Sequence, residues 1–444
     1  ADNGSSDEPR IKLLKANGID VIVTDHHDIP KTGYPVSAYA CLNPRRDDCN
    51  YPDPYIAGCM VAWLLMTTVR SKLIIAEHLP VATKSLVDSL DFVAVGTIAD
   101  CVSMARSLNN RIVVHYGLQL INRAVRPCWQ AIKSTIKNNI SVEDLGFQIG
   151  PLLNSDGRLR CAFKAVSFLL ANNISEATTW VVELQEQNTE RKKIQKHIVT
   201  QGIELALQQV AANSYALSIF LTDSHPGVHG IAASRIKDLF GRPTIFLAKK
   251  QGDTTEDPII TGSARGIDNF HVCEALQEVA IAEPDLLLAF GGHKGAGGLT
   301  LKKSNLALFY KHFEQATRKQ LTLSDLGPII WTDGSLQGAQ LSMELVAQLD
   351  KLQPFGREFE APLFELQGML LEFKPVGDGT HARLLLELSG TKVAGIWFGM
   401  RKNSTDPLPV AADNMVTLVA AVAINEFRGF KSLQLNIAYM QYTD

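Results

Sequence analysis

Ile19–His27, IDVIVTDHH, is the stretch from which the fold is read. The β-branched run Ile19 to Thr24 ends in an aspartate and two histidines. It has the length and apolarity of a strand buried in a parallel sheet, with polar groups at its carboxyl end. Before it lies SSDEPRIKLLKANG, which carries Ser/Asp capping residues, an early proline, apolar Ile11, Leu13 and Leu14, and Gly18 as a stop, and so reads as a helix. Phe92 to Ile98, FVAVGTI, reads as a second central strand followed by Asp100. Helix, strand, helices and strand in that order predict an α/β domain. Ligands of open parallel sheets bind at the carboxyl ends of the strands, so Asp2, Asp25, His26, His27 and Asp100 are expected to converge. Each aspartate alone reads as a helix cap, but two adjacent histidines directly after a buried strand are harder to explain by packing. Carboxylates and imidazole without thiolate suit Mn²⁺ or Mg²⁺ better than structural Zn²⁺.

Composition bounds the rest. The 444 residues are 46% hydrophobic and 20% charged, with 43 Lys/Arg against 46 Asp/Glu for a formal net charge of −3, which excludes a disordered or polybasic chain. The longest uncharged stretch, Pro54 to Val69, is shorter than the ~20 residues of a membrane span and is followed by Arg70 and Lys72. No membrane association is expected. Seven cysteines without CxxC spacing and no apolar leader predict a reducing, cytoplasmic setting without disulfides.

Further along, Ile174 to Val210 has no proline and a single glycine, Gly202, and predicts a long connecting helix. A second α/β pattern follows, with strands near 216–221, 243–248 and 258–264 and helices near 230–240 and 269–279. Beyond residue 328, strands near 363–373, 382–388, 393–398, 416–424 and 432–438 with one helix at 342–352 predict a small β-barrel of OB type. That region holds nine Lys/Arg against thirteen Asp/Glu, so a strand bound there would rely on aromatics such as Trp397, Phe398, Phe427 and Phe430.

Two glycine-rich segments could approach phosphates. FGGHKGAGGLTL, Phe290 to Leu301, surrounds His293 and Lys294 with five glycines, and GSARG, Gly262 to Gly266, offers Ser263 and Arg265 on a short turn. GVHGIAASRI adds Arg235 on a helix. Arginine, serine and glycine are the components of a phosphate clamp, although each segment alone also reads as a tight turn.

VIVTDHH, GTIADCVSM, GPLLNSDGRL, GVHGIAASRI, GSARG and FGGHKGAGGLTL occur in the order of the RecJ family of DHH/DHHA1 phosphoesterases, and the chain resembles that family over nearly its whole length. LDKLQPFGREFEAPLF resembles the family's entry into its OB-fold. The resemblance implies a DHH catalytic domain at 1–182, a connecting helix at 183–212, a DHHA1 domain at 213–320 and an OB-like nucleic-acid-binding domain at 328–444. It implies that Asp2, His26 and Asp100 are metal ligands, with His27, Arg158 and His293 catalytic, and that Ser263, Arg265, Arg235 and Lys294 contact DNA. The implied activity is 5′-to-3′ exonucleolytic hydrolysis of single-stranded DNA by two Mn²⁺ or Mg²⁺ ions in repair and recombination, with a single-strand-binding protein and a helicase as partners. The family's first motif, an Asp-x-Asp turn, is expected to precede Asp2. Its absence predicts weak or absent activity for these residues alone. Two alternatives stay open: an impaired DHH protein that only holds DNA, and a phosphodiesterase for oligoribonucleotides or cyclic dinucleotides.

Overall fold

The computed structural model describes the chain except residues 137, 138, 160, 161, 223, 402, 403, 428 and 444 and the side chains of 159 and 427, so one of the seven cysteines, Cys161, and the ring of Phe427 lie outside the described residues. The chain begins with α1 (Glu8–Ala16), β1 (Ile22–Thr24), β2 (Ala40–Leu42), α2 (Gly58–Ile75), α3 (Leu90–Ala99) and α4 (Leu108–Arg123). It continues through α5 (Pro127–Lys133), the single turn α6 (Val142–Asp144), α7 (Gly150–Leu159), α8 (Phe163–Leu169) and α9 (Ile174–Ala211). Then come β3 (Leu217–Phe220), α10 (His229–Phe240), β4 (Thr244–Lys249), β5 (Ile259–Arg265), α11 (Val272–Ala282), β6 (Ala289–Gly292), β7 (Ala296–Lys302) and α12 (Leu306–Gln320). Last are α13 (Met343–Asp350) and β8 (Phe364–Val376), β9 (His381–Leu388), β10 (Thr391–Trp397), β11 (Asn414–Phe427) and β12 (Phe430–Tyr442).

These elements form two compact units. The first comprises residues 1–125, 136–150 and 331–444, and the second 126–135 and 151–330. In the first unit β1 and β2 pair in parallel, Ile22 opposite Ala40, and put Asp25 at the carboxyl end of β1 as expected. The expected strand at 92–98 is instead the body of α3. Leu90, Val93, Ala94, Val95 and Thr97 are all buried in it, so the helix is apolar on every side and shows no 3.6-residue periodicity in its sequence. Asp100 is therefore a helix C-cap and not a strand end. α2, the described helix long and apolar enough to span a membrane by length and composition, packs its first turn against Ile56, Leu90, Val93 and Val113.

The barrel closes in the order β10-β12-β11-β8-β9, antiparallel except for the parallel β10–β12 seam. Alternation makes it legible: along β8, Phe364, Leu366, Gly368 and Leu370 face inward while Glu365, Gln367 and Met369 face outward or stand half-exposed. Trp397 belongs to the barrel core, whereas Phe398 and Phe430 are exposed at 67% and 82%.

The second unit is built on the mixed sheet β3-β4-β5-β7-β6, in which only β3 and β4 run parallel. α9 is one helix of 38 residues, capped by Asn173, which accepts from Glu176 N at 2.9 Å. Gly202 lets α9 approach the sheet: a Cβ there would lie 2.5 Å from Phe246 Cζ and 2.7 Å from Ile236 Cδ1. Gly202→Ala is therefore expected to destabilise this unit by about 1–3 kcal/mol through overpacking, despite alanine's better helix propensity. The urea midpoint of the variant measures it, and an unchanged or higher midpoint would contradict the packing argument.

Candidate metal centre and anion site

The first site grows from β1. Asp25, 1% exposed, is a scaffold: its carboxylate accepts Ser5 N at 3.0 Å, His26 N at 2.8 Å and His27 N at 3.3 Å, and meets His27 Nδ1 at 2.7 Å. Burial alone would raise its pKa, but the bonds from His27, Ser5 and His26 outweigh it and hold the carboxyl well below the usual range. Asn43 ties the same turn, donating to Ser5 Oγ at 2.9 Å and to His27 O at 2.8 Å.

His26 is turned the other way. Its Nε2 is buried and without a hydrogen bond, yet it stands 3.3 Å from Asp2 Oδ1 and 3.2 Å from Asp100 Oδ2. The approaches are ionic in distance but not in hydrogen-bond direction, which is how donor atoms aimed at a common point are arranged. One donor atom each from Asp2, His26 and His27 fits within 4.8 Å of the others. Asp2 sits beside β1, its N donating to Thr24 O at 2.7 Å, and Gly58 makes room for it, since a Cβ there would lie 2.1 Å from Asp2 Oδ1. At Asp100 the negative end of the α3 dipole adds attraction for a cation. Burial pushes the Asp100 carboxyl up, repulsion from Asp2 adds to this, and His26 and His27 oppose it. Neighbouring Cys59 has its thiol pushed up to about 12, chiefly by burial, so the donors of the site are oxygen and nitrogen. That set, with an orphaned buried imidazole nitrogen at its centre, fits a divalent cation of the Mn²⁺ or Mg²⁺ type.

Burial opposes the charged form of His26, but the adjacent carboxylates of Asp2 and Asp100, with the charge of Asp25, outweigh it and raise its pKa above the ordinary value. Protons therefore compete with a cation. Below the raised value, Mn²⁺ affinity is expected to fall by about tenfold per pH unit, as for displacement of one proton. Metal-free stability carries the opposite sign: the His26 contribution is complete below the unfolded value of about 6.5 and disappears as pH rises through the folded one. Mn²⁺ titrations across pH 5.5–8 measure the first effect. An affinity independent of pH would contradict the assignment of His26.

The second site lies in the other unit. Ser263 and Arg265 are on strand β5 and not on a turn, and Arg265 Nη1 donates to Ser263 Oγ at 3.1 Å and to Ala264 O at 2.7 Å. Gly230 of α10 admits them, because a Cβ there would lie 2.4 Å from Arg265 Nη2 and 3.2 Å from Ser263 Oγ. Arg158 Nη1 reaches Gly227 O at 3.2 Å. Arg191, 6% exposed on α9, donates to Asn188 and Gln195. Desolvation lowers Arg158, Arg191 and Arg265 from the ordinary arginine value. Arg158 and Arg235 repel Arg191 further, and Arg158 repels Arg265. Among the described residues no carboxylate offsets Arg158, Arg191 or Arg265, an arrangement that suits an anion.

Sequence reading missed Arg191. Its signal was a cation on the stripe Val181, Leu184, Gln187 and Arg191, whose spacing of three, three and four residues marks the buried face of a helix. The glycine-rich segment is a β6–β7 hairpin closed by His293 N donating to Ala296 O at 2.8 Å. Gly292 and Gly297 are there for close packing, while Gly291 and Gly295 leave the backbone beside exposed His293 and Lys294 open. Arg235 is exposed on α10.

Three family descriptions match in chain order: "DHH family, N-terminal domain" at 1–97, "DHHA1 domain" at 213–319 and "RecJ OB domain" at 332–439. The single-stranded-DNA-specific exonuclease RecJ of Haemophilus influenzae is 34% identical over 458 residues, covering 100% of this chain and 77% of that protein. RecJ of Escherichia coli is 34% identical over 450 residues, covering 98% and 75%. The crystal structure of RecJ from Thermus thermophilus in complex with Mn²⁺ superposes with a TM-score of 0.78 at 26% identity, covering 100% of this chain and 61% of that one.

Proposed function

The chain belongs to the RecJ family, and from that premise we propose that it is a metal-dependent exonuclease that removes nucleotides from the 5′ end of single-stranded DNA. The observation that carries this reading is the buried, unbonded His26 Nε2 between the Asp2 and Asp100 carboxylates. These three residues would hold Mn²⁺ or Mg²⁺, which supplies the positive charge that an in-line phosphodiester displacement needs at its attacking and leaving oxygens. Asp25 fixes the His27 ring through Nδ1 and makes Nε2 its basic nitrogen, suited to holding a proton of the attacking water. Ser263, Arg265, Arg158 and Arg191 bind a terminal phosphate, with Arg235 attracting the strand. The turn bearing His293 and Lys294 lets the backbone approach the phosphate that follows.

The domain division proposed with this reading is 1–182, 183–212, 213–320 and 328–444. The OB-type barrel supports a polymer over a dinucleotide as substrate, and exposed Phe398 and Phe430 are its candidate stacking surfaces. A single-strand-binding protein and a helicase are proposed partners, because each holds or generates the strand, and the cytoplasm is the proposed site of action.

The test is single-turnover digestion of 5′-labelled DNA with protein in excess over substrate, so that slow chemistry is visible. Mn²⁺-dependent shortening of single strands from the 5′ end, absent with chelator and slower on duplex, is the expected result. Shortening from the 3′ end, or equal digestion of duplex and single strands, would overturn it.

A further inference from the structure

After Asp100 the chain turns through Cys101 at φ 55°, and the loop that follows is held by a segment about 250 residues away that leads into the barrel. Met104 N donates to Arg357 O at 2.8 Å, Ser103 Oγ donates to the Glu358 carboxylate at 2.6 Å, and Arg106 Nε pairs with the same carboxylate at 3.2 Å. Arg106 N in turn donates to Ser103 Oγ at 3.0 Å, so the carboxylate grips the loop at two linked points. Met104 is 1% exposed, and a Cβ on Gly356 would lie 2.7 Å from its Cγ, which places the lead-in hard against the loop. Farther out, Arg111 Nη2 donates to Leu352 O at 2.7 Å, and its guanidinium lies 4.4 Å from the centroid of the Phe359 ring.

Glu358 itself has φ 62°, a left-handed conformation that residues with a Cβ seldom adopt. Such a conformation persists where surrounding contacts over-determine it, and the Glu358 side-chain contacts outside its own segment end on the loop after Asp100. As a purely structural link they are a poor return for the strain. The Arg106–Glu358 pair has side chains exposed at 59% and 38%, and exposed ion pairs add little stability.

We propose that Glu358 is a positioning residue of the metal centre. Through Ser103 and Arg106 it fixes the loop that follows Asp100, and with it the end of α3 that bears Asp100, so that cation affinity in the DHH domain depends on the docked lead-in of the barrel. The inference rests on the reading of Asp2, His26 and Asp100 as cation ligands. It separates cleanly from a folding role, because glycine at φ 62° relieves the strain while deleting both contacts.

The experiment compares the full chain with Glu358→Gly, Glu358→Gln and Asp100→Asn by electron paramagnetic resonance of free Mn²⁺ and by metal-free thermal unfolding. Glu358→Gly is expected to bind Mn²⁺ about tenfold more weakly, the lower end of the loss seen for outer partners of metal ligands, with an unfolding temperature equal to or above the parent's. Glu358→Gln keeps an acceptor for Ser103 Oγ and is expected to lose less. Wild-type binding by Asp100→Asn would sink the cation reading itself. Lost binding in Asp100→Asn with parental binding in Glu358→Gly would sink only the positioning role, as would a Glu358→Gly chain that loses thermal stability together with affinity.

Discussion

Asp100→Asn is expected to lower Mn²⁺ affinity by more than about a hundredfold, beyond the ten- to hundredfold that removal of an outer partner costs, and to abolish metal-dependent cleavage. The amide keeps the shape of the carboxylate, so the loss is one of charge and donor strength. In the metal-free chain the same substitution is expected to leave stability unchanged or raise it, because Asp100 is a carboxylate pushed up by burial and by Asp2. His26→Ala is expected to match it in metal affinity. A variant that retains parental Mn²⁺ affinity, or that loses affinity only together with its fold, would remove Asp100 from the site.

Arg265→Ala is expected to weaken binding of 5′-phosphorylated single strands by roughly 1.5–3 kcal/mol, about ten- to a hundredfold, the range for a hydrogen bond to a charged group. Binding of 5′-hydroxyl strands should change less. Arg265 is already aligned by Ser263 Oγ and Ala264 O and has Arg158 beside it, so a dianionic terminus would relieve repulsion as well as gain a fork of donors. Anisotropy titrations of both kinds of end at one salt concentration make the comparison, since every phosphate contact is salt-dependent. Equal losses for the two ends would assign Arg265 to general attraction for the backbone. No loss for either would return it to a solvated surface charge.

The barrel and the connecting helix were legible because their burial is periodic. Phe364, Leu366, Gly368 and Leu370 alternate, and Val181, Leu184, Gln187 and Arg191 recur at helical spacing. α3 was not legible as a helix because burial on all sides erases the period: FVAVGTI is as apolar as a parallel strand, and only its neighbours determine which it becomes. The misreading left Asp100 beside His26 all the same, since a helix C-terminus and a strand end can deliver a side chain to one point. The glycines of the β6–β7 hairpin suggested a phosphate cradle, yet Gly292 and Gly297 answer to backbone and side-chain packing. Arg191 carries no anion-site signal of its own in the sequence because Arg158 and Arg235, the cations whose charges act on it, come near only through tertiary structure. Gly58, whose lack of a side chain admits Asp2, carries no signal in a single sequence.

The most direct measurement is an anomalous difference map at the manganese absorption edge from crystals of the chain grown with Mn²⁺. The account predicts a peak in contact with Asp2 Oδ1, His26 Nε2 and Asp100 Oδ2, and its disappearance in Asp100→Asn. Manganese bound elsewhere, with His26 Nε2 and both carboxylates left without it, would contradict the account.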